Sequence, residues 1–266
     1  MRLAVIGHVE WVTFGHAPFV PRAGQIVHVD DLLDQAGGGG AVTAIALARM
    51  GADVTFYTAL GTDVPAQSVL ESFGVRVYAA RRDHPQTRVL ALVDPDGERT
   101  LYVIGANDHP TADDPLPWDE LGEMDGVYFT GYDPRTLRLA RQAPVVVVTA
   151  RRFRALVDSG IRADALVGSS TDPGEQFDLS ELTQRPAHVI VTQGARGGSG
   201  YAAAPVPGPV VDTYGAGDTF VAGVTYGLSA GWDLDRTLRV AAERAAECLT
   251  WRGVYPPDPV PGRPSG

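Results

Sequence analysis

Short, unbroken apolar runs, each closed by a glycine or a turn, set the rhythm of this chain. Leu3–Ile6, ending at Gly7, is the first, and its lack of alternation predicts a strand buried on both faces of a parallel sheet. Val54–Leu60, Gly126–Phe129, Val145–Thr149, Ala165–Val167 and His188–Val191 repeat the pattern. Between them lie segments of helical character: Ala41–Met50 stopped by Gly51, Ala66–Phe73 stopped by Gly74, Arg135–Gln142, Arg152–Ser159 and Leu179–Thr183. Thr219–Leu228 and Leu234–Leu249 follow as two longer helices, and Gly200–Ala203 and Val210–Val211 are expected to add strands before them. Strand and helix in alternation predict an α/β fold, a central mostly parallel sheet flanked by helices with right-handed crossovers.

Two stretches have a different texture. Val9–Phe14 and Gln25–Leu33 alternate apolar and polar residues around Pro18, Pro21 and Gly24, and Gln86–Val93 and Arg99–Ile104 do so around the turn Asp94-Pro95-Asp96-Gly97. They predict half-exposed antiparallel strands of a small β-sheet lid, built from insertions at about 9–35 and 84–105 of a single domain spanning 1–266. Trp11, Phe14 and Phe19 would cover a ligand there or pack against a second lid. The Pro- and Gly-rich tail Tyr255–Gly266 reads as extended, with a loose end.

Candidate chemistry concentrates at two glycine clusters. In Val210-Val211-Asp212-Thr213-Tyr214-Gly215-Ala216-Gly217-Asp218-Thr219-Phe220 an apolar strand end meets a glycine turn and a helix start. Gly215, Ala216 and Gly217 leave room for an anion, and their N–H groups lie at the positive end of the helix. Asp218, in the first turn, is placed to accept a proton from an attacking hydroxyl, so the stretch reads as phosphoryl transfer. The plainer reading makes it a strand-to-helix turn with a favourable N-terminal charge. Gly37-Gly38-Gly39-Gly40 opens another helix, where glycines allow close approach of a ligand or act as a hinge between lid and body.

Charge and composition narrow the partners. A formal charge of −10 argues against nucleic acid or an anionic membrane as partner, while leaving room for a nucleotide in a local positive field. The single cysteine, Cys248, excludes an internal disulfide and reads as a small core residue. No histidine pair has metal-ligand spacing, and His8 reads first as a structural histidine. The chain starts as a strand, not as a signal peptide, and no apolar run reaches membrane-spanning length, so a cytoplasmic protein is expected.

In order along the chain, Gly37–Gly40, Ala48-Arg49-Met50-Gly51, Gly61-Thr62-Asp63, Asp96-Gly97-Glu98-Arg99-Thr100, Gly105-Ala106-Asn107, the loop Thr192-Gln193-Gly194-Ala195-Arg196-Gly197 and the run Asp212–Asp218 resemble the motifs of the ribokinase/PfkB family of carbohydrate kinases. The resemblance covers nearly the whole chain and implies a ribokinase-like fold and an ATP-dependent sugar kinase acting on a primary hydroxyl. It implies Asp218 as general base and Gly215, Ala216 and Gly217 as anion hole. Glu10, Gly38, Gly39, Asn107 and Asp218 would bind substrate, and Thr192, Gly194 and Gly197 the nucleotide. Asp212 stands at the family's monovalent-cation position, implying K+, with simple capping of the turn as the equal alternative. Mg2+ is implied with ATP, carried largely by phosphates and water. A homodimer through the lids is also implied.

Departures from the family pattern bear on the acceptor. His8-Val9-Glu10 replaces an Asn and an Asp, so Glu10 would reach further, and Val42 replaces a sugar-binding Asn, making the pocket less polar there. Ser169 and Asp172 replace an Asn and a Glu that organise Mg2+. Arg151, Arg152 and Arg154 read first as a solvated helix start. Two alternatives therefore stay open: a nucleoside kinase of the same family, and a non-catalytic sensor of sugar or nucleotide.

Overall fold

The computed structural model describes residues 1–94 and 99–256. In chain order its elements are β1 (Arg2–Ile6), β2 (Glu10–His16), β3 (Asp30–Gly37), α1 (Gly39–Arg49), β4 (Asp53–Leu60), α2 (Ala66–Ser72), β5 (Arg76–Arg81), β6 (Arg88–Val93), β7 (Arg99–Ile104), β8 (Gly126–Phe129), α3 (Pro134–Ala140), β9 (Val146–Thr149), α4 (Phe153–Ser159), β10 (Ala165–Ser169), β11 (His188–Thr192), α5 (Ala216–Ser229) and α6 (Leu234–Cys248). Seven strands form a sheet in the order β11-β10-β9-β8-β1-β4-β5, and every neighbouring pair is parallel.

The apolar run of β1 is explained by its place in the middle of the sheet. Leu3 and Val5 face the core shared with Ala44 of α1 and Val224 of α5, whereas Ala4 and Ile6 face Leu137 of α3 and Phe153 of α4. After β1 the chain builds β4 and β5 on one side, then crosses to β8 on the other. That reversal leaves a crevice outside the carboxyl ends of β1 and β8, where ligands of open α/β sheets bind. Asp133 and Asp233 cap α3 and α6 through the N–H groups of Arg135 and Arg236.

The second sheet has four strands in the order β3-β2-β6-β7. The expectation of purely antiparallel pairing is corrected at its centre, because β2 and β6 run parallel, Trp11 opposite Arg88 and His16 opposite Val93. They come from separate insertions, so no hairpin constrains their direction. The strand expected at Gln25–Leu33 lies further on, at Asp30–Gly37, and runs directly into α1. The turn expected at Asp94–Gly97 falls largely outside the described residues, as does most of the tail from 257 onward.

Three further expectations of the main sheet change. Leu179–Thr183 forms only a short 3-10 turn over Leu179–Glu181. Gly200–Ala203 and Val210–Val211 add no strand: the sheet ends at β11, Tyr201 makes only an isolated bridge with Gly198, and the Val211 N–H bonds the Leu249 carbonyl at the end of α6. β5 occurs where no strand was expected, because an edge strand needs no unbroken apolar run and Arg76 and Arg81 remain exposed at its ends. No helix among the described residues is long and apolar enough to cross a membrane.

Helix α5 is fixed from behind by α6. A Cβ on Gly223 would stand 2.5 Å from the Ala241 Cα, and one on Gly227 would stand 2.6 Å from the Thr237 hydroxyl, so glycine sets how closely the two helices pack. Because the obstacle at Gly223 is backbone, Gly223→Ala is expected to lower unfolding free energy by about 1–3 kcal/mol, the usual cost of overpacking, in a denaturant titration.

Candidate active site

The carboxyl ends of β1, β8, β9, β10 and β11 and the N-termini of α1 and α5 open on one cleft of about 860 Å³, with Val89, Leu101 and Val103 of the small sheet as its cover. Glycines bring these ends together. A Cβ on Gly40 would lie 2.7 Å from the His8 carbonyl oxygen and 2.8 Å from the Phe56 ring, so α1 begins in direct contact with the chain leaving β1. A Cβ on Gly39 would lie 3.1 Å from the Asp218 carboxylate. Gly38, at φ 83°, makes the turn between β3 and α1.

Helix α5 starts at Gly215, at φ 77°, without a side-chain cap. Its first turn is closed by the Thr219 N–H on the Gly215 carbonyl at 2.8 Å, which leaves the N–H groups of Ala216, Gly217 and Asp218 without helical partners. Gly217 has no heavy atom within 4 Å of where its Cβ would be, so the cleft side of this turn is open. Burial pushes the half-buried Asp218 carboxyl up and the negative charge of Glu10 adds to it. His8, Arg99 and Arg151 pull the other way, and the carboxyl comes to rest at about 6.

The loop before α5 is tied down on its far side. Asp212 is buried, with one carboxylate oxygen accepting from the Tyr214 N–H and the other from the Gly253 N–H, both at 2.9 Å. The Cys248 thiol, buried as expected, donates to the Tyr214 carbonyl at 3.3 Å. The Tyr214 hydroxyl accepts from the Gly38 N–H at 3.4 Å, linking this loop to the start of α1. Asp212 does not line the cleft.

At the β1 end, His8 Nε2 and Glu10 Oε1 are 3.5 Å apart. Asn107 donates to the Tyr132 hydroxyl at 3.3 Å, and its carbonyl oxygen meets His109 Nε2 at 3.2 Å. Four side chains then pack in series: His8 tilted against His109 at 4.6 Å, His109 edge-on to Tyr132 at 4.4 Å, and the Arg152 guanidinium over the Tyr132 ring at 3.8 Å. Burial pushes His109 down to about 2, so this ring is neutral, and it packs between His8 and Tyr132 without itself lining the cleft. Val42 corrects the sequence reading: it is buried, its Cγ1 would be 3.1 Å from a Cβ on Gly215, and it lines a separate cavity of about 200 Å³ beside Trp251. It therefore leaves the polarity of the main cleft unchanged. Thr43 instead donates to the Asp218 carbonyl at 3.4 Å.

At the β11 end, Thr192 and Gly194 line the cleft, and Gly194, at φ 58°, has open space around it. Gly197 stands apart: a Cβ there would meet the Tyr201 carbonyl at 2.5 Å, so its role is backbone packing of the loop. Asp172 caps the turn that follows β10 through the Gly174 N–H at 2.8 Å and pairs with Arg151. Ser169 donates its N–H to Glu175 at 2.7 Å. Glu175, overlooked in the sequence, is a carboxylate that burial pushes up and that lies within range of the Asp218 charge. It falls three residues beyond the expected spacing, after the turn Pro173-Gly174. Among the described residues no cluster of three or more His, Cys, Asp or Glu could hold a metal ion unaided. Arg152, which the sequence presents as part of a solvated helix start, is buried.

Of the residues singled out in the sequence, Glu10, Gly38, Gly39, Asn107, Thr192, Gly194 and Gly215 through Asp218 thus share one cleft, and Asp212 and Gly197 support it from outside. The profile of the pfkB family carbohydrate kinase matches residues 2–152 and 137–261. The chain is 30% identical over 256 residues to ribokinase of Bacillus subtilis (strain 168), covering 85% of each chain. It is 30% identical over 284 residues to 1-phosphofructokinase of Escherichia coli (strain K12), covering 90% of this chain and 88% of that one. Its fold is similar to that of Arabidopsis thaliana ribokinase complexed with ribose and ATP, with a TM-score of 0.71, 20% identity, and coverage of 96% of this chain and 95% of that one. The chain belongs to the pfkB family and is an ATP-dependent carbohydrate kinase.

Proposed function

We propose that the cleft transfers the γ-phosphoryl group of ATP to a primary hydroxyl of a small carbohydrate, in the cytoplasm, with Asp218 as general base. The observation that carries this reading is the placing of Asp218: a carboxylate held at about 6, in the first turn of an uncapped helix, lying against Gly39 at the start of α1. A base poised near neutral pH takes a hydroxyl proton and still remains ionised before the reaction. As the proton leaves, the N–H groups of the Gly215–Gly217 turn meet the charge on the phosphoryl oxygens, where fixed donors are effective because they need no reorganisation.

Glu10, Gly38, Gly39 and Asn107 would hold the acceptor, and Thr192 and Gly194 the nucleotide, with Gly197 shaping that loop. Mg2+ would supply charge neutralisation on the phosphates; Asp172 and Glu175 are the acidic groups on that side of the cleft, suited to binding its water shell. K+ beside Asp212 would have to use the lone pairs its two oxygens retain after bonding Tyr214 and Gly253. The same reading includes a homodimer through the small sheets, where Leu32, Tyr102 and Ile104 are exposed. With Val42 facing away from the cleft, the feature that favoured a nucleoside acceptor no longer bears on it.

ATP consumption screened across sugars, sugar acids and nucleosides tests the reading, and absence of any acceptor giving Asp218-dependent ADP formation would sink it. Asp218→Asn is expected to lower kcat on the order of 10²–10⁴-fold. In the wild type, kcat/KM for the acceptor should fall as pH drops through about 6, because the carboxylate is then protonated.

The same substitution has the opposite effect on stability. Raised in the folded state from its ordinary value of 3.8 to about 6, the Asp218 carboxyl costs stability wherever it must ionise, fully above the folded value and not at all below the unfolded one. Asp218→Asn is therefore expected to raise unfolding free energy by up to about 3 kcal/mol at pH 7, with the gain fading between pH 6 and 4. Thermal melts of both proteins across that range check it.

A further inference from the structure

We infer that the acceptor carries an anionic group, a carboxylate or a phosphate, and that Arg152 binds it. The inference rests on the phosphotransfer reading and narrows its substrate class. Arg152 is only 6% exposed, yet it lines the cleft. Its Nε–H donates to the Thr130 carbonyl at 2.8 Å, its plane lies on Tyr132, and one terminal nitrogen reaches the Arg151 carbonyl at 3.4 Å. All of these partners are neutral. Among the described residues no carboxylate comes within ion-pair distance of it, whereas neighbouring Arg151 pairs with Asp172 and Glu175, and Arg154 with Asp158. Buried charges are otherwise paired, because taking a lone ion out of water is costly. Consistently, burial is the largest influence on the guanidinium and lowers its pKa, and no carboxylate opposes it.

The missing counter-charge belongs to the acceptor side by position. Tyr132, on which Arg152 lies, is bonded to Asn107 and packed edge-on with His109, which in turn packs against His8 beside Glu10. The nucleotide side has its own cation, Arg151, already engaged by the acidic turn after β10. A planar fork with its first nitrogen fixed by Thr130 presents the remaining donors to a carboxylate or phosphate in the geometry such groups favour. A neutral sugar would leave that fork uncompensated.

The test is a thermal-shift and titration series on the wild-type protein without ATP, using sugar acids and sugar phosphates each matched to its neutral sugar: ribonate with ribose, gluconate with glucose, fructose 1-phosphate with fructose. At least one anion should raise Tm where its neutral partner does not. Arg152→Met should weaken that anion on the order of 10²-fold while leaving ATP affinity unchanged, and Arg152→Lys should weaken it less. Neutral members that bind as well as the anions, no shift with any anion, or an Arg152→Met variant that loses ATP and not the anion would each overturn the inference. Should Arg152→Met fail to fold, the matched ligands on the wild type and Arg152→Lys still decide. ATP consumption separates the two readings: Asp218-dependent turnover of neutral sugars alone removes this inference only, whereas anion binding without turnover on any acceptor removes the kinase reading.

Discussion

One close contact governs the active cleft: helix α1 begins against the backbone of the chain leaving β1, where a Cβ on Gly40 would sit 2.7 Å from the His8 carbonyl. Any side chain there would push α1 outward, and with it Gly39, which lies against the Asp218 carboxylate. The distance between β1 and α5 across the cleft is thus set by absent side chains. Glycine loses more backbone freedom on folding than any other residue, so a run of four at a helix start is unfavourable locally and persists only where the close approach is needed.

The second constraint acts on the other side of Asp218. An N-terminal turn with no cap keeps its N–H groups available, but it also lacks the interaction that usually fixes a helix start. Here the fixing is displaced to the rear of the loop. Asp212 takes two backbone N–H groups, one from the loop and one from the segment after α6; Cys248 and Tyr214 add bonds to the loop and to Gly38. Gly223 and Gly227, pressed on α6, hold the helix axis. Donors at the front stay free because the structure behind them is already satisfied.

What could be read from the sequence follows from this division. Features that depend on local chemistry were legible: the unbroken run of β1, the glycine starts of α1 and α5, Asp218 in the first turn, and the buried Cys248. Features that depend on which way a side chain faces across the fold were not. The sequence places Val42 in the pocket wall, yet the helix turns it under Gly215 into another cavity. Glu175 enters the cleft because Pro173-Gly174 lengthens the turn after β10, and a fixed motif spacing could not anticipate that. Arg152 sits in a basic cluster that looks solvated until β8 places Tyr132 beneath it. Val210 and Val211 have strand composition, but the backbone partner available to Val211 is the end of α6 and not β11.

Electrostatics couples these parts. Glu10, Asp218 and Glu175 line the same cleft as Arg99, Arg151 and Arg152, and their mutual influence depends on how much water lies between them. Asp218 is raised first by burial and only second by its acidic neighbour, so its basicity depends on how far water is kept from it. Part of the cover comes from β6 and β7: Val89, Leu101 and Val103 present apolar groups, and Arg99 at the start of β7 adds a positive charge that pulls the Asp218 carboxyl down. The insertions therefore bear directly on the acid–base chemistry, through the apolar groups that they lay over the cleft and through the opposed charges of Glu10 and Arg99 that they bring to bear on Asp218.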